Sequence, residues 1–350
     1  MSGRRRRAGG GPTLDEVAAL AGVGRGTVSR VINGSPQVSP AARAAVEQAI
    51  RQLGYVPNRA ARALVTRRTD AVALVMSESR ERMFGEPFFA GIVRGVSAGL
   101  RGTPLQLWLM MAQSPPERER LGFSLNHQQV DGVLLLSLHG DDPLPRLVAE
   151  RGVPLVLGGR PVGPVASDGA TQSVWFVDVD HELGAQQAVE HLIATGRRRI
   201  ATIAGPADTG AGLARLAGWQ RACALAGLPA PDDLVVHGDF GEASGAAGMR
   251  QLLARRPDLD AVFAASDLMA AGALRVLREA GRRVPEDVAV VGFEDSTLAR
   301  QTEPPLTTVH QPVEEMGRQM AALLVARIQG EHSDPGQVVL PTHLVVRQSA

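Results

Sequence analysis

At 350 residues the chain exceeds one compact domain of ordinary size, which indicates two or three domains. The formal net charge of +1 conceals an uneven distribution, because residues 1–68 carry +9 and the remainder −8, so the N-terminal end is the candidate for binding nucleic acid. The single cysteine excludes a disulfide framework within the chain. The sequence has no apolar run of about 18 residues, which excludes a membrane span, and no signal-peptide core, which excludes secretion. These features together predict a cytoplasmic protein.

The first twelve residues combine arginines with glycines and a proline. Like charges and few apolar side chains predict a disordered basic tail over residues 1–12. Two roles remain open for this tail, a solvated end or a basic arm that adds phosphate contacts and so steepens the salt dependence of DNA binding.

The next segment has the pattern of a helix-turn-helix. Apolar residues recur at helical spacing from Leu14, a turn containing Gly22 and Gly24 interrupts them, and a second apolar run begins at Val28. In such a motif the second helix lies in the major groove, so its exposed face is the candidate DNA reader. The alternative is a small helical bundle used only for packing.

A third helix and a short basic segment follow. Ser39-Pro40 is an N-cap with proline at the first helical position, and Gly54 is a stop signal. Beyond it lies the Arg/Ala segment 59–64, which is too short to form a stable helix alone in water. The pattern therefore predicts a DNA-binding domain over residues 13–56 and a hinge and linker over residues 57–69.

The motifs TLDEVAALAGV, TVSRVINGS, VSPAAR and LGYVPNRAARAL together resemble the headpiece and hinge of the LacI/GalR (lactose-repressor/galactose-repressor) family. The resemblance implies that Leu64 inserts into the minor groove as an apolar wedge, unless Leu64 is simply the first core residue of the next domain. It also implies that Arg25 reads a base, since Gly26 beside it has no side chain to do so, and that Gly24, in place of a frequent serine, removes a phosphate contact. The candidate DNA-contacting residues are Thr13, Leu14, Arg25, Gly26, Thr27, Ser29, Arg30, Asn33, Tyr55, Asn58, Arg59, Ala61 and Leu64.

From Ala71 onward the chain alternates short apolar runs with amphipathic segments. The runs AVALVM, PLQLWLM, GVLLLS and VPLVLG are predicted strands, and the patterns between them predict helices near residues 89–100, 116–127 and 143–151. A Gly/Pro/Ser-rich passage over residues 158–173 separates them from a second such series. Repeated strand-helix alternation predicts an α/β fold of two doubly wound lobes with parallel sheets.

The family resemblance extends over this region through VDGVLLL, RLAGWQRA, AVFAASDLMAAGALRVL and VPEDVAVVGFED. It implies a periplasmic-binding-protein-like core over residues 70–350, in which the helix 313–329 returns to the first lobe. The expected first lobe spans about 70–165 and 307–330, and the second about 170–303 and 335–347. Because no leucine-heptad tail follows Arg347, a homodimer is expected.

Ligands bind doubly wound lobes at the carboxyl ends of their strands. Matching the family's pocket implies an effector site whose carboxylates and arginine suit the hydroxyls of a sugar and whose aromatic rings suit its apolar face. Gly159 stands where many sugar-binding members have an acidic residue and Glu294 replaces an aspartate, which favours a larger ligand, such as an oligosaccharide, or a different one. The candidate effector-binding residues are Phe88, Phe89, Ser137, Gly159, Arg215, Phe240, Ser266, Asp267, Glu294 and Asp295.

Catalytic chemistry has no support in the sequence. No metal-ligand spacing or G-x-G-x-x-G loop occurs, so no cofactor, metal or enzymatic activity is expected. A transport-type solute-binding protein would share the lobes but not the basic first 68 residues. The chain is therefore predicted to be a transcription factor, a repressor that a small-molecule effector, a mono- or oligosaccharide, releases from a pseudo-palindromic operator. The alternative is a regulator whose ligand promotes DNA binding as a co-repressor.

Overall fold

The computed structural model describes residues 11–56, 68–140, 142–162, 174–331 and 336–350. The chain divides into two compact units, residues 1–69 and 70–350. Several predictions lie outside the described residues, namely those for residues 1–10 of the tail and for Asn58, Arg59, Ala61 and Leu64 of the hinge.

The N-terminal unit is the predicted helix-turn-helix with its third helix. Thr13 and Glu16 form a capping box at its start, and Gly22 ends the first helix at a φ of 65°, a left-handed conformation that glycine adopts without strain. Ser39 caps the third helix with its side chain. The three described helices are α1 (Leu14–Ala21), α2 (Arg25–Ile32) and α3 (Pro40–Leu53).

A small apolar core holds these three helices together. Val17, Val28 and Val46, one from each helix, are completely buried in it. Leu14 and Tyr55 pack partly buried against the same cluster. The headpiece thus closes on itself through the residues that the helical spacing predicted to be apolar and internal.

The first lobe of the second unit contains a six-stranded parallel sheet in the order β11-β5-β4-β3-β1-β2. Strands β1 and β3 are buried along their whole length, which explains their unbroken apolar sequences. The strands are β1 (Ala71–Met76), β2 (Gln106–Met111), β3 (Gly132–Leu136), β4 (Leu155–Gly158), β5 (Phe176–Val179) and β11 (Gln337–Leu340).

Helices cover both faces of this sheet. The short helix α4 has no counterpart in the sequence analysis, because its six residues include none that is buried and so give no apolar periodicity. The helices are α4 (Arg80–Gly85), α5 (Pro87–Gly99), α6 (Pro115–Ser124), α7 (Leu144–Ala149) and α12 (Val313–Gln329).

The second lobe contains a second six-stranded sheet, in the order β12-β10-β9-β8-β6-β7, in which only the β10–β12 pair is antiparallel. Two 3-10 helices, Asp232–Leu234 and Thr297–Arg300, lie in its connections. The strands are β6 (Ile200–Ala204), β7 (Val235–His237), β8 (Ala261–Ala264), β9 (Ala289–Glu294), β10 (Thr307–His310) and β12 (His343–Val345). Its helices are α8 (His181–Ala194), α9 (Gly210–Leu225), α10 (Glu242–Arg255) and α11 (Asp267–Glu279).

The expected lobe boundaries need correction at three strands. β5 and β11, expected in the second lobe, pair with each other in the first sheet, and β10, expected in the first lobe, pairs with β9 in the second. Apolar runs show that a strand exists but not which sheet supplies its hydrogen-bonding neighbour. The chain therefore crosses between lobes after β5, after β10 and after β11.

The helix predicted over residues 313–329 is α12, and it packs in the first lobe as expected. It approaches α5 so closely that a Cβ on Gly95 would overlap the carbonyl oxygen of Glu314. Gly317 is confined in the same way by the backbone of α5 at Ile92. Within the described part of the chain, no helix is long and apolar enough to cross a membrane.

Candidate DNA-reading face and effector cleft

The exposed face of α2 carries the residues that the sequence analysis selected as DNA readers. Arg25, Gly26 and Arg30 are exposed, and the Arg25 guanidinium lies 3.8 Å from the carboxylate of Asp15 on α1. Thr13 is exposed as well, although its hydroxyl belongs to the capping box. The remaining described candidates, Leu14, Thr27, Ser29, Asn33 and Tyr55, are partly buried.

In the second unit, a cavity lies between the two lobes at the carboxyl ends of their strands. Its first-lobe wall follows β1, β3 and β4, and its second-lobe wall follows β6, β7, β9 and the start of α8. The lining residues include Glu78, Arg82, Glu86, Phe88, Phe89, Ser137, Gly159, Arg160, Asp178, His181, Thr209, Arg215, Phe240, Glu294 and Gln311.

Seven of the ten candidate effector residues line this cavity: Phe88, Phe89, Ser137, Gly159, Arg215, Phe240 and Glu294. The other three do not. Ser266 donates from Oγ to the backbone carbonyl oxygen of Phe240 at 2.7 Å. Asp267 is completely buried and accepts from Thr308 Oγ1 and the amide of Ser296. Asp295 binds His310 and Arg347 instead of facing the cavity.

These three residues therefore support the cleft instead of lining it. Their positions directly after β8 and β9 made them candidates, but side chains that follow a strand can turn back into the protein as well as forward into a cleft. The direction of a side chain at such a turn depends on the surrounding packing, which the local sequence does not specify. As direct ligand contacts, the three residues remain a prediction.

Arg215 is the buried centre of the second-lobe wall. Its Nε lies 3.2 Å from His181 Nδ1, its Nη2 donates to Gln311 Oε1 at 3.0 Å, and its Nη1 donates to the carbonyl oxygen of Ala265. Burial lowers the pKa of Arg215 to about 10, while the nearby carboxylates, Glu294 foremost, raise it in opposition. Arg215 therefore remains charged at neutral pH and is held rigidly.

Glu294 is the carboxyl group left available to a ligand in this wall. Burial and, after it, the neighbouring charge of Asp267 raise its pKa to about 8. Burial also raises the pKa of Asp267, against the effect of its hydrogen bonds. Near neutral pH, Glu294 is thus largely a neutral acid that can donate a hydrogen bond as well as accept one.

His181 and Asp178 continue the polar wall where the chain crosses from β5 to α8. Burial, followed by the charge of Arg215, lowers the pKa of His181, so its ring is neutral and can accept from Arg215 at Nδ1. The opposite ring nitrogen lies 3.2 Å from Asp178, which is also 3.4 Å from Arg160. The pKa of Asp178 is lowered: burial, the largest single effect, opposes the shift, but the contacts with His181, the backbone of Val179 and the charge of Arg160 together outweigh it.

The charged group that α4 places on the first-lobe wall was not predicted from the sequence. Arg82 binds Glu86 at 2.6 Å and also pairs with Glu78, and its guanidinium lies 5.5 Å from the ring centroid of Phe240 in the other lobe. The spacing of these three residues, four apart along the chain, was the available signal. The same spacing is the ordinary pattern of a solvated helix face, so it could not distinguish residues of a cleft wall from residues of an exposed helix.

Backbone strain is concentrated at this cleft. Of the five described non-glycine residues with positive φ, four are candidate effector residues. Such conformations cost about 1–3 kcal/mol each and persist where surrounding contacts enforce them. Phe240 illustrates this, because Ser266 fixes its carbonyl and only a glycine at position 205 leaves room for its ring. The four residues are Ser137, Phe240, Glu294 and Asp295.

The cleft combines groups that suit a polyhydroxylated ligand. Charged and neutral polar groups provide donors and acceptors for hydroxyls, and the rings of Phe88, Phe89 and Phe240 provide apolar surface. The cavity encloses about 100 Å³, which is less than the roughly 300–1,000 Å³ of typical small-molecule sites. The two lobes are therefore close together around this cavity in the structure.

Two family models match the chain. Residues 13–58 match the bacterial regulatory proteins of the lacI family, and residues 189–350 match a periplasmic binding protein-like domain.

Full-length relatives agree with both matches. The HTH-type transcriptional regulator CelR of Thermobifida fusca is 61% identical over 346 residues, which is 99% of each chain. The ribose operon repressor of Escherichia coli K12 is 36% identical over 97% of this chain and 99% of its own length.

Two solved structures extend the similarity to the fold. A transcriptional regulator CelR-cellobiose complex superposes with a TM-score of 0.77 at 58% identity, covering 97% of this chain and all of that one. The lac repressor dimer bound to operator and the anti-inducer ONPF superposes with a TM-score of 0.82 at 29% identity, covering 97% of this chain and 99% of that one.

Proposed function

Since the chain belongs to the LacI family of bacterial regulatory proteins, and is thus a DNA-binding transcriptional regulator, we propose that it is a repressor released from its operator by cellobiose or a related β-linked glucose oligosaccharide. The observation that carries the proposal is the 61% identity with CelR along almost the whole chain. The solved CelR structure contains cellobiose, and the cleft described above offers hydrogen-bonding groups and aromatic rings for such a sugar.

The proposed division of labour follows the chain. Residues 13–56 read the DNA, residues 57–69 form the hinge, and residues 70–350 bind the effector and form the homodimer. Arg25 is the proposed base-reading residue, because Arg paired with guanine is the commonest specific contact in the major groove. The protein acts in the cytoplasm, where its operator lies.

The proposed coupling requires two states of the core. A ligand shifts an equilibrium only as far as its affinity differs between the states. Cellobiose would favour the state in which the lobes enclose it. In that state the first lobes of the two protomers would take a different relative position, which would separate the paired hinge segments of the dimer. Cellobiose would weaken operator binding by a coupling free energy, and operator binding would weaken cellobiose binding by the same amount.

The test is selection of bound sequences from random duplex DNA, followed by titration of the selected operator with and without sugars. A two-fold-symmetric site is expected, from which cellobiose releases the protein. Ribose at the same concentration is the matched control and should have no effect. Recovery of no symmetric site would contradict the regulator, whereas tighter operator binding in cellobiose would show a co-repressor.

The absence of turnover is a separate prediction. The family consists of transcriptional regulators, and we propose that this chain binds its sugar without altering it. Incubation of the protein with cellobiose and cellotriose followed by product analysis should return both sugars intact. Release of glucose in proportion to protein concentration would overturn this part of the proposal.

A further inference from the structure

Two loops meet at the rim of the cleft, one from each lobe. The first-lobe loop follows β3 and carries His139, and the second-lobe loop follows β6 and carries Asp208 and Thr209. His139 and Thr209 form an isolated antiparallel β-bridge, so the two backbones are in direct contact. Farther along the rim, a Cβ on Gly210 would lie only 2.6 Å from the carbonyl oxygen of Arg160. The lobes thus touch through backbone at this rim.

One side chain joins the same two loops electrostatically. His139 Nδ1 lies 2.8 Å from Asp208 Oδ2 in the opposite lobe, and its Nε2 lies 3.4 Å from Glu78 Oε1 in its own lobe. A neutral imidazole can donate from only one of its nitrogens, whereas an imidazolium donates from both. Both carboxylates are therefore satisfied together only when His139 is protonated.

The other charges near this histidine are already engaged. Arg82, behind Glu78, pairs with both Glu78 and Glu86. On the segment that follows His139, Asp142 lies 3.8 Å from Arg118, and at the end of β4 Arg160 lies 3.4 Å from Asp178. Among the described residues, Glu78 and Asp208 are therefore the two charged groups that face the ring directly.

We propose that His139 is a positioning residue that, in its protonated form, fastens the two lobes across the effector cleft through Asp208 and so slows release of the bound effector. His139 does not line the cavity itself. It acts through Glu78 and Thr209, which do line it. The identity of the effector rests on the proposed function, but the contact between the lobes does not.

The pH dependence of this contact has a definite sign. The hydrogen bond with Glu78 is the largest cause that raises the pKa of His139, Asp208 adds to it, and burial opposes both. A raised histidine pKa means that the contact is fully formed below the ordinary value of about 6.5 and is lost as the pH rises through the raised value. The lobes should thus be held together more firmly at pH 6 than at pH 8.5.

The first experiment needs no effector. The ring carbon-proton signal of His139 is followed by NMR in the full-length protein and assigned by its loss in His139→Gln. Its titration midpoint should lie above the ordinary histidine value of about 6.5, and Asp208→Asn should lower it. Because Asp208 is 57% exposed, this variant is expected to fold normally. A midpoint that Asp208→Asn leaves unchanged would overturn the contact between the lobes.

The second experiment measures the release of cellobiose by stopped flow between pH 6 and pH 8.5. At pH 6 His139→Gln and Asp208→Asn should each release cellobiose about three- to tenfold faster than the wild type, the range expected for one partly exposed charged hydrogen bond. At pH 8.5 the variants and the wild type should converge. Titration of Glu294 affects every variant alike and cancels in these ratios.

His127→Gln is the matched control and should follow the wild type at every pH. A variant-to-wild-type ratio for His139→Gln that stays constant from pH 6 to pH 8.5 would overturn the proposal, because a merely structural role would not titrate. If cellobiose does not bind at all, the proposed effector fails while the NMR titration still decides whether His139 joins the lobes.

Discussion

The guanidinium of Arg215 lies over the ring of Phe293, with its central carbon 3.9 Å from the ring centroid. Phe293 is completely buried on β9, immediately before Glu294. A cation over an aromatic face is attracted by the ring quadrupole, most strongly where water is excluded. This contact joins the rigid second-lobe sheet to the charged wall of the cleft, so the position of the arginine is fixed before a ligand arrives.

Replacement of Arg215 should damage both stability and effector binding. Arg215→Met removes the positive charge that compensates the carboxylates around it, and losing one partner of a buried pair typically costs about 3–5 kcal/mol. Urea unfolding of the core and calorimetric titration with cellobiose measure the two effects. Arg221→Met, on the same helix but in an exposed pair with Glu182, should cost less than about 1 kcal/mol and leave binding intact. Equal stability of the two variants would contradict this account.

Glu294→Gln should change the pH dependence of stability. Because folding raises the pKa of Glu294 from 4.5 to about 8, the folded state binds more protons between these values and loses stability as the pH rises through them. Glutamine cannot ionise, so the variant should melt several degrees higher than the wild type at pH 9 and no higher at pH 4.5. Thermal unfolding at a series of pH values checks this, and a difference that does not vary with pH would refute it.

Arg25→Ala should relax sequence selectivity. A bidentate arginine–guanine contact contributes about 1–3 kcal/mol of discrimination at its base pair. Binding to operators with every single-base change should show this preference lost at one symmetric position in each half-site. Arg51→Ala, an exposed arginine at the end of α3, is the control and should keep the preference. Uniform weakening across all sequences would assign Arg25 to phosphate contact instead.

Leu64→Ala tests the hinge, which the family resemblance assigns to the minor groove. Removing an apolar wedge should lower operator affinity and reduce DNA bending, because the central base step is no longer unstacked. Gel-shift bending assays measure the angle, and sedimentation should show an unchanged dimer. Normal bending by Leu64→Ala would instead favour the alternative, in which Leu64 is a core residue.

Gly95→Ala should destabilise the first lobe. The new methyl group would overlap the backbone of α12 at Glu314, and overpacking of a tight interface typically costs about 1–3 kcal/mol. Urea unfolding provides the measurement. Gly85→Ala, also at a helical glycine but with no atom within 4 Å of the added Cβ, should be neutral or slightly stabilising. A similar loss in both variants would show that helix propensity, not packing, is responsible.

The sequence was most informative where structure is local. Capping by Ser39 and the stop at Gly54 depend on neighbours a few residues away, so the third helix of the headpiece could be predicted together with its ends. The helix 313–329 was predicted over its observed length as well, but its bounds came from the family resemblance. Buried parallel strands such as β1 and β3 were equally clear, because an apolar run bounded by turn residues is their usual pattern.

Tertiary structure alone decided which residues meet in the cleft. Strand pairing placed β5 and β11 in the first sheet and β10 in the second, against the boundaries drawn from the sequence, because hydrogen-bonding partners far apart in the chain leave no local signal. The direction of side chains at strand ends separated Glu294, which lines the cavity, from Asp267, which turns into the core. The contact between His139 and Asp208 spans 69 residues and forms only because two lobes fold against each other. Local propensity thus determined the elements, and long-range packing determined the site.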